Sequence, residues 1–314
     1  MKVDITHIEH NCANIKLFEL RRRHNAPLPP FAAGAHIDVT MSNGLTRQYS
    51  LCNSPAENHR YVIGVLNDRQ SRGGSRHMHE ALSVGTELEI SEPRQLFAPH
   101  SDPHEAILFA GGIGITPLMA MCEYFLSQNM PFKLYYFAKS PEQLAFQTRL
   151  NQADFAGKVT YVHGRPKDEQ VFDAYLGLPN PNKHLYICGP EGFMSAIRQH
   201  ASARGWPETH CHQERFQAAS SDSVANTGFE VEIASSGDVI AIPADVSITQ
   251  VLEAHGYFIP VSCEQGICGT CLTQVMAGTP EHRDHFLTDE ERAANTVFTP
   301  CCSRARSARL VLDL

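Results

Sequence analysis

Four cysteines near the C-terminus constrain this chain more than any other feature of its sequence. Cys263, Cys268, Cys271 and Cys301 are separated by four, two and twenty-nine residues, which is the ligand spacing of a plant-type [2Fe-2S] ferredoxin. Glycines between the first three cysteines allow backbone N–H groups to approach the cluster sulfurs. The spacing therefore predicts an iron–sulfur domain that carries electrons.

Other assignments of these thiols stay open at the level of sequence. They could be buried structural cysteines, or they could bind structural zinc, although zinc sites favour paired Cys-x2-Cys units and this loop contains one such unit. Cys302 directly follows Cys301, and only one of the two can complete a four-thiolate site. The spacing selects Cys301 as the fourth ligand, with Cys302 as the alternative.

The length of the chain, 314 residues, exceeds the roughly 90 residues that a ferredoxin-sized unit needs, so it predicts two or three domains. Six of the ten cysteines lie outside the cluster pattern and show no disulfide spacing, which indicates a reducing compartment. The first eight residues alternate like a strand and lack the apolar core of a signal peptide. We expect a cytoplasmic protein without a membrane segment, because the longest apolar stretch, residues 106–121, is interrupted by three glycines and a proline.

The negative charge of the chain is concentrated at its end. The net charge is -8, and residues 228–314 contain twelve Asp or Glu against five Arg and no Lys. This balance argues against nucleic-acid binding. An acidic face around a cluster could steer a positively charged redox partner, or it could serve solubility alone.

The pattern of apolar residues changes twice along the chain. Short runs at residues 3–8, 15–20, 36–41, 61–65 and 87–90, separated by turns, predict a small antiparallel β-barrel. Strand-like runs at 106–110, 133–138 and 185–188 alternate with helix-like segments such as 118–126, which predicts an α/β domain with a doubly wound parallel sheet. Residues 217–227 have no apolar period and are typical of a linker. A strand-rich α+β (β-grasp) unit is expected to carry the cluster.

Two glycine turns follow strands of the predicted parallel sheet. The first is Gly111-Gly112-Ile113-Gly114-Ile115-Thr116-Pro117 and the second is Cys188-Gly189-Pro190. Glycines let a ligand approach the backbone, and a following helix N-terminus supplies N–H donors for a phosphate or nicotinamide. The first turn departs from the GxGxxG fingerprint, but both turns are expected where the carboxyl ends of parallel strands bind ligands.

The predicted barrel contains two further motifs, Arg47-Gln48-Tyr49-Ser50 and Arg72-Gly73-Gly74-Ser75. An aromatic ring can stack on a planar cofactor, while an arginine fork matches the oxygens of its phosphate. The glycines precede a helix-like segment, residues 77–82, whose start would add N–H donors.

In this order the motifs of the barrel, the two glycine turns and the cysteine loop resemble those of the phthalate dioxygenase reductase family, over essentially the whole chain. Within that family the chain resembles the vanillate demethylase and carnitine monooxygenase reductase components, through His282-Arg283-Asp284, Leu287 to Arg292 and Cys301 to Ala305. The resemblance implies an FMN-binding barrel (1–102), an NAD-binding domain (103–216), a linker (217–227) and a ferredoxin domain (228–314).

The resemblance also implies roles for individual residues. Those that would contact FMN or the nicotinamide cofactor are Arg47, Tyr49, Ser50, Gly73, Gly74, Ser75, Gly111, Gly112, Gly114, Thr116, Lys139, Cys188, Gly189 and Pro190. Of these, Cys188, Thr116 and Ser50 would lie beside the hydride path. Lys139 departs from the arginine that the family often has there, and we favour NADH from the resemblance alone.

The family's chemistry implies an NADH-dependent reductase that passes single electrons to a separate Rieske-type oxygenase. NADH yields two electrons at once and the cluster accepts one, so a flavin must convert between them. Other acceptors, such as a diiron oxygenase or a haem protein, and a redox-sensing role remain alternatives. A Rieske centre within this chain is not expected, because its four cysteines are already assigned. A monomer is the working expectation.

Overall fold

The structure is a computed structural model and describes residues 1–69, 71–100, 105–164, 171–216 and 226–314. The chain divides into two compact units, Met1–Arg215 and Phe216–Leu314. Most of the predicted linker, residues 217–225, lies outside the described residues, as does the predicted boundary between residues 102 and 103. The domain limits therefore stay predictions.

The first part of the larger unit is an antiparallel barrel. Its strands are β1 (Lys2–Cys12), β2 (Ile15–Arg21), β3 (Ala35–Thr40), β4 (Thr46–Ser50), β5 (Tyr61–Leu66), β6 (Glu87–Ile90) and β7 (Arg94–Gln95), and its helix is α1 (Gly74–Glu80). The order in the sheet is β4-β3-β6-β1-β2-β5, with β7 beside β3. A bridge between Leu51 and Ile63 joins the two ends of the sheet. Alternate side chains fill the interior, among them the fully buried Phe18 and Leu20.

The second part of the larger unit is a parallel sheet covered by helices. Its strands are β8 (Glu105–Gly111), β9 (Phe132–Ala138), β10 (Val159–His163), β11 (Lys183–Cys188) and β12 (Cys211–Glu214), in the order β10-β9-β8-β11-β12. Its helices are α2 (Ile115–Ser127), α3 (Gln147–Leu150), α4 (Val171–Leu176) and α5 (Glu191–Ala203). Alternate residues of β8 point to opposite faces: Leu108 packs with α2, and Phe109 packs with α4 and α5.

The barrel and the parallel sheet share an apolar core. Ile15 and Leu17 of β2 and Cys52 after β4 belong to the same buried cluster as Leu118 of α2. This shared core fixes the barrel against one face of the sheet and therefore fixes the site that forms between them.

The smaller unit is an α+β domain. Its strands are β13 (Phe229–Ile233), β14 (Val239–Ile242), β15 (Thr273–Ala277), β16 (Pro280–Glu281), β17 (Val297–Phe298), β18 (Arg304–Ala305) and β19 (Arg309–Leu312), and its helices are α6 (Ile248–Ala254) and α7 (Asp289–Ala294). The main sheet has the order β14-β13-β19-β15-β17. The capping boxes Ser247/Gln250 and Thr288/Glu291 begin the two helices.

The predicted fold class is confirmed in all three parts. Sequence periodicity did not reveal the short strand β7, and it placed the start of α2 at residue 118, whereas this helix begins at Ile115. In the part of the chain that the structure describes, every helix is too short or too polar to cross a lipid bilayer.

Candidate active site and cluster-binding loop

The two glycine turns lie directly against each other. They follow β8 and β11, which are neighbouring parallel strands, so their carboxyl ends meet at one edge of the sheet. A Cβ atom at Gly114 would lie 2.2 Å from the carbonyl oxygen of Cys188, and one at Gly189 would lie 2.9 Å from the Cα of Gly111. Only glycine permits this approach, so the turns form one continuous backbone surface.

Thr116 connects this surface to the barrel. Its hydroxyl donates to the carbonyl of Ile113 at 2.9 Å, which closes the first turn of α2. Its methyl carbon Cγ2 is 2.7 Å from where a Cβ at Gly64 of β5 would lie. The side chain is therefore held between the glycine turn and the barrel wall.

The two barrel motifs also meet. A Cβ at Gly74 would lie 2.7 Å from Cγ of Arg47, so the arginine stem passes over the start of α1. The hydroxyl of Ser75 is buried with no hydrogen-bond partner among the described residues. A buried hydroxyl at a helix start beside a guanidinium fits the phosphate of a flavin, since that group would supply the missing acceptor.

Tyr49 lies two residues from Arg47 on β4, so the two side chains share one face of the strand. Burial raises the pKa of the Tyr49 phenol. Ser50 is buried on the opposite face. The sequence RQYS therefore places a ring and a cation together on one side and a hydroxyl on the other.

Glu214, which sequence reasoning missed, contacts this Ser50 hydroxyl. It ends β12 beside Cys188 of β11, and its Oε2 atom is buried although the residue as a whole is only half-buried. Burial raises the pKa of Glu214 to about 8, and the hydrogen bond from Ser50 opposes that shift. The apolar pattern gave no signal because β12 reads Cys-His-Gln-Glu; its position at the carboxyl end of a parallel strand was the available clue.

Cys188 and Lys139 occupy different environments. Cys188 is fully buried, and its pKa is well above the ordinary value because of burial and, secondarily, the nearby Glu214. The thiol is therefore neutral and cannot act as a base. Lys139 follows β9 and is exposed at the same edge of the sheet, where a cation can reach an anionic group of a bound nucleotide.

The four predicted cluster ligands form two pairs in the smaller unit. The thiol of Cys263 is hydrogen-bonded to Cys268, and that of Cys271 to Cys301. Each bond lowers the pKa of one thiol of the pair, Cys268 or Cys271, and raises that of its partner, Cys263 or Cys301. Among the described residues no group of three or more His, Cys, Asp or Glu is placed to hold one metal ion. Two thiol pairs fit a binuclear cluster, with two cysteines on each iron, better than one tetrahedral zinc.

The backbone of the ligand loop supports the same assignment. The N–H groups of Gln265 and Ile267 each lie 3.4 Å from Sγ of Cys263, and that of Thr270 lies 3.4 Å from Sγ of Cys268. Such donors stabilise the negative charge of a thiolate-bound cluster. The residues present therefore fit a [2Fe-2S] cluster.

The thiol of Cys302 is hydrogen-bonded to Cys301 and to the hydroxyls of Thr299 and Ser303, whereas the bond to Cys271 comes from Cys301. The Sγ atom of Cys302 lies 3.3 Å from the hydroxyl of Thr299 and 3.8 Å from that of Ser303. A Cβ at Gly266 would lie 2.5 Å from this sulfur. These contacts favour Cys301 as the fourth ligand.

Comparison with known proteins identifies the family. Residues 108–199 match the oxidoreductase NAD-binding domain, and residues 231–306 match the 2Fe-2S iron-sulfur cluster binding domain. Vanillate O-demethylase oxidoreductase of Acinetobacter baylyi is 47% identical over 100% of this chain and 99% of its own. A solved phthalate dioxygenase reductase, described as a modular structure for electron transfer from pyridine nucleotides to [2Fe-2S], is 38% identical, with a TM-score of 0.80 over 100% of this chain and 98% of its own. The chain belongs to the phthalate dioxygenase reductase family.

Another solved structure shows the same architecture inside a longer protein. An intact type IV self-sufficient cytochrome P450 monooxygenase is 35% identical, with a TM-score of 0.82, over 100% of this chain and 41% of its own. As a phthalate dioxygenase reductase family member, the chain is an NAD(P)H-dependent oxidoreductase that contains a flavin domain and a [2Fe-2S] ferredoxin domain. The roles of the individual site residues stay predictions.

We expect Glu214→Gln to remove a pH dependence of flavin reduction. Because burial raises its pKa to about 8, the native carboxyl is neutral at pH 7 and ionises as the pH rises through that value. A negative charge beside the flavin site opposes the arrival of electrons, so the native rate should fall severalfold above about pH 8. The glutamine variant should show a flat profile from pH 6 to 9.5 when flavin bleaching by NADH is followed by stopped flow.

The matched control for this experiment is Glu208→Gln, which removes a carboxylate whose side chain is 88% exposed. It should keep the native pH profile. If Glu214→Gln keeps the native inflection as well, Glu214 is not the titrating group.

We expect Cys301→Ser to abolish cluster assembly, because it removes one sulfur of the second pair, while the flavin is still reduced by NADH. Cys302→Ser should retain a full cluster, since its thiol faces Thr299 and Ser303. Iron and sulfide content and the electron paramagnetic resonance signal after dithionite reduction measure both effects. A normal cluster in Cys301→Ser together with its loss in Cys302→Ser would transfer the ligand role to Cys302.

Proposed function

We propose that this protein is the NADH-dependent, FMN-containing reductase of a Rieske-type oxygenase. The observation that supports the proposal is the hydrogen bond between Ser50 of the barrel and Glu214 of the parallel sheet, beside Cys188. Thr116 joins the same two parts, because it lies against Gly64 of the barrel. We infer that the flavin motifs of the barrel face the nicotinamide turns of the sheet across the boundary between these two parts, as a direct hydride transfer requires.

Residues of this chain would bind and orient the flavin and the nicotinamide for this hydride transfer. Arg47 and the start of α1 hold the flavin phosphate, and Tyr49 packs along the cofactor from the same face as Arg47. The backbone surface of the two glycine turns lets the nicotinamide approach closely. When bound, a flavin accepts an electron pair and releases its electrons singly.

Buried groups around the meeting point exclude water from the transfer. Ser50, Thr116 and Cys188 are each at most 5% exposed. The neutral Glu214 carboxyl is hydrogen-bonded to Ser50, and its Oε2 atom is buried away from solvent. This arrangement lets Ser50 and Glu214 form hydrogen bonds to a bound cofactor at a point where charge changes during reduction.

The proposed acceptor rests on the names of the relatives. Vanillate O-demethylase oxidoreductase and phthalate dioxygenase reductase are named after oxygenase systems, so an oxygenase is the partner class. Within that class we propose a Rieske-type enzyme, from the resemblance of the motifs. Oxygenases that remove methyl groups from aromatic ethers are the first to test, because the vanillate system lies at 47% identity.

A haem protein is the second candidate acceptor. It is supported by the cytochrome P450 monooxygenase whose chain contains a segment similar to all of this one. The ferredoxin domain would then deliver electrons to a haem iron. The earlier steps, from NADH to the flavin and from the flavin to the cluster, would be the same.

The domain limits and the compartment are part of the proposal. The two family models, 108–199 and 231–306, fall within the predicted ranges 103–216 and 228–314. The six cysteines outside the cluster pattern show no disulfide spacing, which supports a reducing cytoplasm.

We expect NADH-dependent oxygen uptake and product formation with one Rieske-type oxygenase from the same cells. Cys301→Ser should lose this turnover while its flavin is still reduced, because the electrons cannot pass without the cluster. Reduction of a separate cytochrome P450 haem domain, with no turnover by any Rieske-type oxygenase, would favour the second candidate.

We expect the flavin released by heat or acid to be FMN. The supporting features are the buried Ser75 hydroxyl and the Arg47 side chain that crosses the neighbouring Gly74, which together fit a terminal phosphate. Mass measurement of the extract identifies the cofactor, and recovery of FAD would overturn the assignment of this phosphate site.

A further inference from the structure

The segment that covers the cluster-binding loop contains a buried carboxylate with no role in the chemistry above. The Asp284 side chain is 0% exposed. Its Oδ2 atom accepts hydrogen bonds from the backbone N–H groups of Phe286 at 3.1 Å and Leu287 at 2.8 Å. Its Oδ1 atom is buried and makes no hydrogen bond within the described ranges.

Residues 284–286 press directly against the ligand loop. A Cβ at Gly266 would lie 2.8 Å from both Cα and Cβ of Asp284, and the N–H of His285 donates to the Gly266 carbonyl at 2.8 Å. A Cβ at Gly269 would lie 2.3 Å from the ring of Phe286. Gly266 and Gly269 lie between cysteine ligands in the sequence. The Asp284 carboxylate is therefore directly adjacent to the loop that would surround the cluster.

Arg292 of α7 lies beside this carboxylate. Its Nη2 atom donates to the carbonyl of Asp284 at 2.7 Å and lies 3.8 Å from Oδ2. The Thr288/Glu291 capping box begins α7 and fixes the turn that carries Arg292. On the other side, Nδ1 of His282 lies 3.7 Å from Oδ1.

We propose that Asp284 and Arg292 are positioning residues that set the reduction potential of the cluster with opposite signs. A buried charge acts through a low dielectric, so it is screened far less than a surface charge. The carboxylate disfavours an added electron on the neighbouring cluster, and the guanidinium favours it. The proposal rests on the [2Fe-2S] cluster of the proposed function. Its test uses no electron acceptor, so a negative result would contradict this proposal without contradicting the proposed oxygenase partner.

The first measurement is a reductive titration at pH 8, in which the electron paramagnetic resonance signal reports the reduced cluster. Asp284→Asn retains the size of the side chain and an oxygen that can accept from Phe286 and Leu287, but it removes the charge. We expect the ratio of reduced to oxidised cluster at a given potential to rise at least about tenfold, which corresponds to 59 mV for a one-electron couple.

The second measurement uses Arg292→Gln, for which we expect a shift of similar size toward lower potential. Arg292→Lys keeps the charge and should restore a near-native potential. Glu290→Gln is the matched control, since it removes a carboxylate from the exposed face of the same helix, where solvent screens it. It should leave the potential unchanged.

Shifts of the reduction potential in opposite directions for Asp284→Asn and Arg292→Gln support the proposal, because a purely structural role of the two residues would not produce them. Shifts of the same sign, or none, overturn it. Iron and sulfide content is measured in each variant. If Asp284→Asn assembles no cluster, the sign of the Arg292→Gln shift decides, and loss of the cluster in both variants overturns the proposal in favour of a purely structural role.

Discussion

The shared apolar core between barrel and parallel sheet determines most of what the larger unit can do. Ile15, Leu17 and Cys52 from the barrel pack in one cluster with α2 of the nucleotide domain. Burying this surface removes apolar side chains from water and holds the two parts in one orientation. Without it Ser50 and Glu214, which lie 164 positions apart in the sequence, would not share a hydrogen bond.

Close backbone contact is the second requirement of the active site. The turns after β8 and β11 meet at distances that exclude any side chain at Gly114 and Gly189. The same device recurs in the ferredoxin domain, where Gly266 and Gly269 let the covering segment lie on the ligand loop. In both places glycine allows a ligand or a neighbouring chain segment to come close to the backbone.

Charge is handled differently at the two redox sites. Near the flavin, burial keeps Glu214 and Cys188 neutral at pH 7, so that no fixed charge opposes the electron pair. Around the cluster-binding loop, backbone N–H groups stabilise negative charge on the cysteine sulfurs, and Asp284 and Arg292 place one fixed charge of each sign beside the loop. The difference follows from the chemistry, because a thiolate-bound cluster is anionic in every oxidation state that it uses.

The sequence by itself determined the spacing of the cluster ligands, the three-part fold class and both glycine turns. Each depends on residues that are close in the sequence: the number of residues between the thiols, the period of two or 3.6 in the apolar residues, and a turn that follows a strand. It also revealed the RQYS and RGGS motifs, although not that Arg47 crosses Gly74. The tertiary structure alone decided the rest. Glu214 carries no motif and gains its raised pKa only through burial, and Cys301 is distinguished from Cys302 by its hydrogen bond to Cys271. Such properties arise from long-range packing, which no local pattern in the chain encodes.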